Sequence, residues 1–198
     1  MLAMEPTASK EVAAPRPAST VLLVRDSAEG MEVFMVVRHH QIDFASGALV
    51  FPGGSIDKED FAIAADHSRC GGDHGLDDKA RAFRVAAVRE TFEECGVLLA
   101  RPQGSTALVS GARIEEITKN AAGKTFGELI AAEDLVLALD QLVPFAHWIT
   151  PTPLPKRFDT HFFIAAAPED QLAVHDGSES VDSIWINPAR ALAERSEE

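Results

Sequence analysis

The stretch RETFEECGV, residues 89–97, places three glutamates within five positions and ends with a glycine. On a helix each residue advances by about 100°, so Glu90, Glu93 and Glu94 share one face. Like charges three and four residues apart repel each other, so the cluster is unfavourable unless something compensates it. The surrounding sequence has to distinguish a solvated acidic face from a site that binds cations.

A helix around this stretch is the clearest element of the sequence. Residues 79–95 are good helix formers without a proline, Asp77 or Asp78 can cap the start, and Gly96 stands at the stop position. Opposite the glutamates runs an apolar stripe, which predicts a core-facing side separate from the acidic side: Val85, Val88, Phe92 and Cys95.

Composition bounds the class of protein. The 198 residues, 46% hydrophobic and 25% charged, fit one globular domain with a sizeable core. A net charge of −13 argues against proteins that bind nucleic acid or anionic membranes through a basic surface. A polyanionic substrate would therefore need local arginines and lysines or bound divalent cations.

The compartment is expected to be the cytoplasm. Only Cys70 and Cys95 are present, far apart in the sequence, so no disulfide framework is indicated. No apolar run reaches the roughly 18 residues that a membrane span requires.

The order of elements predicts strands on either side of helices. Residues 1–18, rich in Ala, Pro, Ser and Thr, are expected to be a flexible arm before a single domain at 19–198. Residues 55–78 are predicted to be a surface loop, with room for one helical turn, whose shortening spares the fold. The His67, Cys70, Asp73 and His74 of this loop lack zinc-site spacing. The remaining segments predict strands at 20–26, 32–40, 47–54, 137–150, 157–167 and 183–187, and short helices at 112–123, 125–134 and after Pro188.

The glycines and the glutamate helix together resemble the Nudix hydrolase signature, G-x5-E-x7-R-E-U-x-E-E-x-G-U, in which U is apolar. Gly54 matches the opening glycine, Arg89 and Glu90 match the R-E pair, and the E-E and final glycine positions follow in register. This chain departs from the signature in three places. Thr91 stands at an apolar position, Asp60 replaces the first glutamate, and the spacing from Gly54 to Arg89 is 89 − 54 = 35 instead of 14.

One branch of the family is closer than the others. VFPGG (50–54), AAVRETFEECGVLLA (86–100) and HWITPTPLPKRFDTHFF (147–163) are similar to the branch that contains peroxisomal coenzyme A diphosphatases and bacterial relatives. The resemblance covers residues 20–192 and implies an α/β fold, an α/β/α sandwich with a mixed β-sheet between helices. Members of this branch tend to continue past the position of Glu198, so a C-terminal segment is expected to be missing.

The resemblance implies a site that uses Mg²⁺ or Mn²⁺. Glu90, Glu93, Glu94 and the Gly54 carbonyl are the implied metal ligands, and Arg89 is similar to the arginine that orients a glutamate. Hard divalent cations prefer such oxygen ligands. Two general bases stay open: Glu90, and Glu179 by its placement before the last strand.

The resemblance also implies a small-molecule, nucleotide-type substrate and allows a homodimer. Substrate contacts are expected from Arg38, Lys156 and Arg157. The first hypothesis is hydrolysis of coenzyme A or an acyl derivative. A second keeps the chemistry and replaces the substrate with ADP-ribose, a dinucleotide or another capped diphosphate. A third is a catalytically silent domain that binds a nucleotide.

Overall fold

The computed structural model describes residues 13–38, 48–175 and 180–194. Within these residues the chain forms ten strands, five α-helices and two short 3-10 helices. The strands are β1 Arg16–Ser27, β2 Gly30–Arg38, β3 Leu49–Val50, β4 Gly53–Ser55, β5 Cys70–Gly71, β6 Ala100–Pro102, β7 Leu135–Ala138, β8 Val143–Ile149, β9 Phe158–Ala166 and β10 Ser180–Ile186. The α-helices are α1 Lys58–Ala65, α2 Asp78–Cys95, α3 Gly111–Asn120, α4 Phe126–Ala132 and α5 Pro188–Glu194, and the 3-10 helices are His67–Arg69 and Leu139–Gln141.

The main sheet of the described chain has seven strands in the order β10-β2-β1-β9-β8, with β3 beside β2 and β4 beside β1. β1 runs parallel to β9, and the other pairs in this sheet are antiparallel. A second sheet has the order β5-β7-β6. This mixed sheet with its helices confirms the predicted α/β class.

The core lies where α2 packs on the main sheet. Side chains alternate along a strand, and the β1 residues that face the helix are fully buried: Ser19, Val21 and Leu23. The predicted stripe of α2 is buried as well, with Val85, Val88 and Cys95 at 0% exposure. The helix begins after Asp77, whose side chain accepts the Ala80 N–H, and ends at Gly96 in the left-handed conformation, as predicted.

Two predicted boundaries were wrong. The arm was predicted to reach residue 18, but β1 begins at Arg16 and its first residues pair with both β9 and β4. The strand predicted over 137–150 is divided by the 3-10 helix at Leu139–Gln141 into β7 and β8, which belong to different sheets. In both cases the strand boundary depends on pairing with strands that are distant in the sequence. The local sequence pattern does not predict such pairing.

The segment 55–78 is not the predicted surface loop. It contains α1, which Asp57 caps in a reciprocal capping box with Asp60, and it places Ile63, Ala64 and Cys70 in the hydrophobic core. Cys70 also begins β5, which pairs with β7 in the second sheet. The segment is therefore part of the folded domain.

Candidate active site

Arg89 is the centre of the charged cluster on α2. Its guanidinium donates to both carboxylate oxygens of Asp60, Nε to Oδ1 and Nη2 to Oδ2, each at 2.9 Å. Nη1 contacts Glu90 Oε1 and Glu93 Oε2, again at 2.9 Å, and Nη2 also donates to the Ser55 carbonyl at 3.1 Å. One buried cation therefore fixes three carboxylates and the end of β4.

Burial sets the protonation of this cluster. Desolvation lowers the pKa of Arg89, but the hydrogen bonds to Asp60 and the charges of Glu90 and Glu93 outweigh it, so the pKa rises and the guanidinium stays charged. Desolvation raises the pKa of Glu90 to about 7, and the positive charge of Arg89 offsets only part of that effect. Desolvation also raises the pKa of Glu93. The site holds more negative charge than Arg89 alone compensates.

The turn before β4 lies directly against the glutamates. The Gly53 N–H donates to Glu94 Oε2 at 2.8 Å, and a Cβ added to Gly54 would lie 2.5 Å from Glu90 Oε1. A Cβ on Gly53, whose φ is +155°, would lie 2.3 Å from the Ser19 carbonyl oxygen. Gly53 is therefore required for the close approach of this turn to β1, and a side chain at position 54 would displace the Glu90 carboxylate.

The glutamates do not form a solvated acidic face. Glu94 is 9% exposed and the Glu90 side chain 13%, whereas the Glu93 side chain is 47% exposed. Arg89 contacts one carboxylate oxygen of Glu90 and one of Glu93. The other oxygens, Glu90 Oε2 and Glu93 Oε1, accept no hydrogen bond among the described residues. Oxygen atoms so placed in an excess of negative charge are suited to a divalent cation. The residues present thus fit Mg²⁺ or Mn²⁺.

Two departures from the signature have structural reasons. Asp60 is completely buried, and it holds Arg89 while its Oδ2 also accepts the Asp57 N–H at 2.9 Å. Thr91 is buried, and its hydroxyl donates to the Ala87 carbonyl at 2.7 Å, which removes the cost of burying a polar group. The Asp60 carboxylate therefore acts through Arg89. The sequence analysis did not predict this role, although the position of Asp60 in the signature could have indicated it.

The predicted substrate contacts are not brought together with the glutamates by any contact within the described residues. Arg157 donates to the carbonyls of Thr150 at 3.0 Å and Ala13 at 2.7 Å, which ties the turn before β9 to the chain near β1. Lys156 is exposed. Arg38 ends β2, but its side chain lies outside the described part of the chain, and so does Glu179.

Three of the four residues of segment 55–78 that lack zinc-site spacing make contacts in the described structure: His67, Cys70 and Asp73. Cys70 is buried, and desolvation raises the pKa of its thiol to about 11. Asp73 accepts from Arg81 Nε at 3.0 Å and contacts His67 Nδ1 at 3.1 Å.

The chain is similar to several known proteins. A family model described as the NUDT19 Nudix domain matches residues 65–198. The chain is 30% identical over 207 residues to a human protein named acyl-coenzyme A diphosphatase NUDT19. The match covers 83% of this chain and 55% of the human protein. It is 27% identical over 183 residues to putative nudix hydrolase 7 of Caenorhabditis elegans, covering 90% of this chain and 54% of the worm protein.

A solved structure gives the same assignment. The crystal structure of a NUDIX hydrolase from Alicyclobacillus acidocaldarius matches with a TM-score of 0.70 and 30% identity, over 93% of this chain and 83% of that one. The chain spans about half the length of the curated relatives it matches. None of the helices in the described ranges is long and apolar enough to cross a membrane.

Proposed function

The chain belongs to the Nudix hydrolase family, and on that premise we propose that it hydrolyses the diphosphate of a nucleotide-linked compound with Mg²⁺ or Mn²⁺. The observation that carries the proposal is the buried Arg89, which holds Asp60, Glu90 and Glu93 beside the glycine turn. Such a cluster has no evident use in a silent nucleotide-binding domain, because Arg89 offsets only part of its negative charge and bound cations would offset the rest.

Each residue has a distinct part in this reaction. Bound divalent cations would activate the attacking water and offset charge on the phosphoryl oxygens. Glu90, Glu93 and Glu94, with the Gly54 carbonyl, are the residues that would hold these ions. Arg89 orients Glu90 and Glu93 and does not itself need to contact the substrate.

Glu90 is the general base that the described residues favour. Its carboxylate is largely buried and is held in position by Arg89, with 2.9 Å between Arg89 Nη1 and Glu90 Oε1. The oxygen of water bonds to one phosphorus, its proton passes to the carboxylate, and the bond from that phosphorus to the bridging oxygen breaks. Glu179 remains the second candidate, outside the described residues.

Coenzyme A or an acyl-coenzyme A is the substrate that we propose first, with 3′,5′-ADP and 4′-phosphopantetheine or its acyl ester as products. The name of the human relative supports this choice, and so does the resemblance of VFPGG and RFDT to the coenzyme A diphosphatase branch. We also propose a reducing compartment such as the cytoplasm, because Cys70 and Cys95 are both buried and unbridged.

A panel of diphosphates tests the substrate. Coenzyme A, acyl-coenzyme A, ADP-ribose and dinucleoside polyphosphates are incubated with the chain and Mg²⁺ or Mn²⁺, and the products are identified by mass. We expect coenzyme A or its acyl esters to have the highest specificity constant. A tenfold higher value for ADP-ribose or a dinucleotide would contradict the substrate, and hydrolysis of no member of the panel would favour a silent domain.

A further inference from the structure

A second cluster of metal-ligating side chains lies on the α2 face of the main sheet, at its β8 edge. His147 of β8 is the direct cross-strand partner of His161 of β9, and Asp159 stands two positions away on the same face. One ligand atom of each residue lies within 4.8 Å of the others. This set combines two imidazoles with one carboxylate, in contrast to the all-oxygen set of α2.

The cluster is separate from the glutamate site. Strand register places Gly54, Ser19, His161 and His147 in one row across β4, β1, β9 and β8. Neighbouring strands are about 4.8 Å apart, so His161 lies about 10 Å and His147 about 14 Å from Gly54. A single ion cannot be shared by the two groups of ligands.

Ring contacts hold His161 in place and bring His147 against it. The His161 ring contacts the Phe83 ring, with centroids 4.0 Å apart, and the His147 ring, with centroids 4.2 Å apart. His147 Nε2 contacts Asp159 Oδ1 directly. The His147 side chain is 48% exposed and that of Asp159 21%, so an ion and water reach the cluster from solvent.

We propose that His147, Asp159 and His161 bind a transition-metal ion of the Zn²⁺, Co²⁺ and Ni²⁺ class. Imidazole nitrogen selects these ions over Mg²⁺, and three protein ligands leave a coordination position for water. Because β8 is an edge strand, rotation of His147 towards His161 closes the set without moving the core. The ion would join β8 to β9.

The surrounding charges influence which metal ions this site binds. Burial lowers the pKa of His161, as do the nearby His147, Lys79 and Arg84, while Asp159 acts in the opposite direction. Lys79 and Arg84 also repel a dication, so the site favours ions with a strong affinity for nitrogen and binds them more weakly than a structural zinc site does.

Titration with Co²⁺ tests the proposal, because its visible absorption reports nitrogen and oxygen ligands directly. The background is the full chain with Glu90→Gln and Glu93→Gln, which weaken the other site. We expect one Co²⁺ to bind per chain, with affinity at least tenfold lower after His161→Ala or His147→Ala and also reduced after Asp159→Asn. The matched control is His67→Ala, because His67 pairs with Asp73 but lies outside the cluster.

A cooperative melt of each variant shows that it is folded, and Zn²⁺ should raise the melting temperature of the background chain but not of the His147 variant. His147 is half exposed, so its replacement keeps the test valid if His161→Ala does not fold. Equal Co²⁺ affinity in the background chain and His147→Ala would overturn the proposal. So would a background chain that binds no Co²⁺. Neither outcome bears on diphosphate hydrolysis.

Discussion

Arg89 and Asp60 form a two-point ion pair beneath the glutamates of α2, with both N–O distances at 2.9 Å and the Asp60 side chain at 0% exposure. The pair joins the segment 55–78 to the helix that carries the candidate metal ligands. Because Arg89 also contacts Glu90 and Glu93, the position of those carboxylates depends on a residue that never needs to touch substrate.

Asp60→Asn should destabilise the protein and lower its activity. An asparagine at position 60 cannot accept from both Nε and Nη2 of Arg89 as the carboxylate does, so a buried guanidinium donor loses its partner, and we expect a loss of about 3 kcal/mol in the free energy of unfolding. Activity should fall at least about tenfold, because Glu90 and Glu93 lose their fixed positions. Urea denaturation and initial rates measure the two effects.

Asp134→Asn is the matched control for that prediction. Asp134 pairs with Arg69 at 3.0 Å, but its side chain is 70% exposed, so its loss should cost less than about 1 kcal/mol and leave the rate unchanged. Equal effects of the two substitutions would show that the buried pair of Asp60 with Arg89 contributes no more than a surface ion pair.

The stability of the metal-free protein should fall as pH rises from 4.5 to 7. Burial raises the pKa of Glu90 from 4.5 to about 7 in the folded state, so between these values the folded protein holds a proton that the unfolded chain has released. Glu90 therefore contributes favourably to the free energy of unfolding at low pH. This contribution is lost as the pH rises through the folded-state pKa, because burying the ionised carboxylate costs free energy.

Glu90→Gln should remove this part of the pH dependence. Urea denaturation in chelator should show parent and variant alike near pH 4.5, with the variant more stable at pH 8 by up to about 3 kcal/mol. Adding Mg²⁺ should restore the parent at pH 8 and have a smaller effect on the variant. A constant difference between parent and variant across this range would mean that Glu90 does not titrate as described.

Two positions on α1 test whether the segment 55–78 is structural. Ile63 is 8% exposed and belongs to the core, whereas Phe61 on the same helix is 46% exposed. Ile63→Ala should cost about 2 to 4 kcal/mol in the free energy of unfolding, and Phe61→Ala less than about 1 kcal/mol.

A deletion that bridges Ile56 to Asp77 should abolish the cooperative melt of the protein. A deletion variant that melts normally would show that the segment 55–78 is a surface loop.

The signature residues of the site were predictable because they carry local signals. The capped helix before Gly96, its apolar stripe and the glutamate face all follow from spacing along one element. The segment 55–78 was misjudged because its glycines, aspartates and histidines lack periodicity. What orders it is a bond over 29 positions between Arg89 and Asp60, together with the burial of Ile63 and Cys70.

Cross-strand neighbours were equally hidden. His147 and His161 are fourteen positions apart in the sequence, and only the register of β8 on β9 makes them partners. The division of 137–150 into β7 and β8 has the same origin, since an apolar run does not tell which sheet its residues join. Which strands pair is determined by tertiary contacts, and secondary-structure propensity does not predict it.

The measurement that tests the central claim most directly compares Glu94→Gln with the parent chain in turnover of coenzyme A and in metal-free melting. The Gln side chain keeps an oxygen that can accept the Gly53 N–H, so without metal the variant should melt at the same temperature or slightly higher. With Mg²⁺ its turnover should fall about a hundredfold or more, and the rise in melting temperature that Mg²⁺ gives the parent should shrink. A variant that melts well below the parent without metal, yet keeps nearly full turnover with Mg²⁺, would contradict the account and make Glu94 a structural residue.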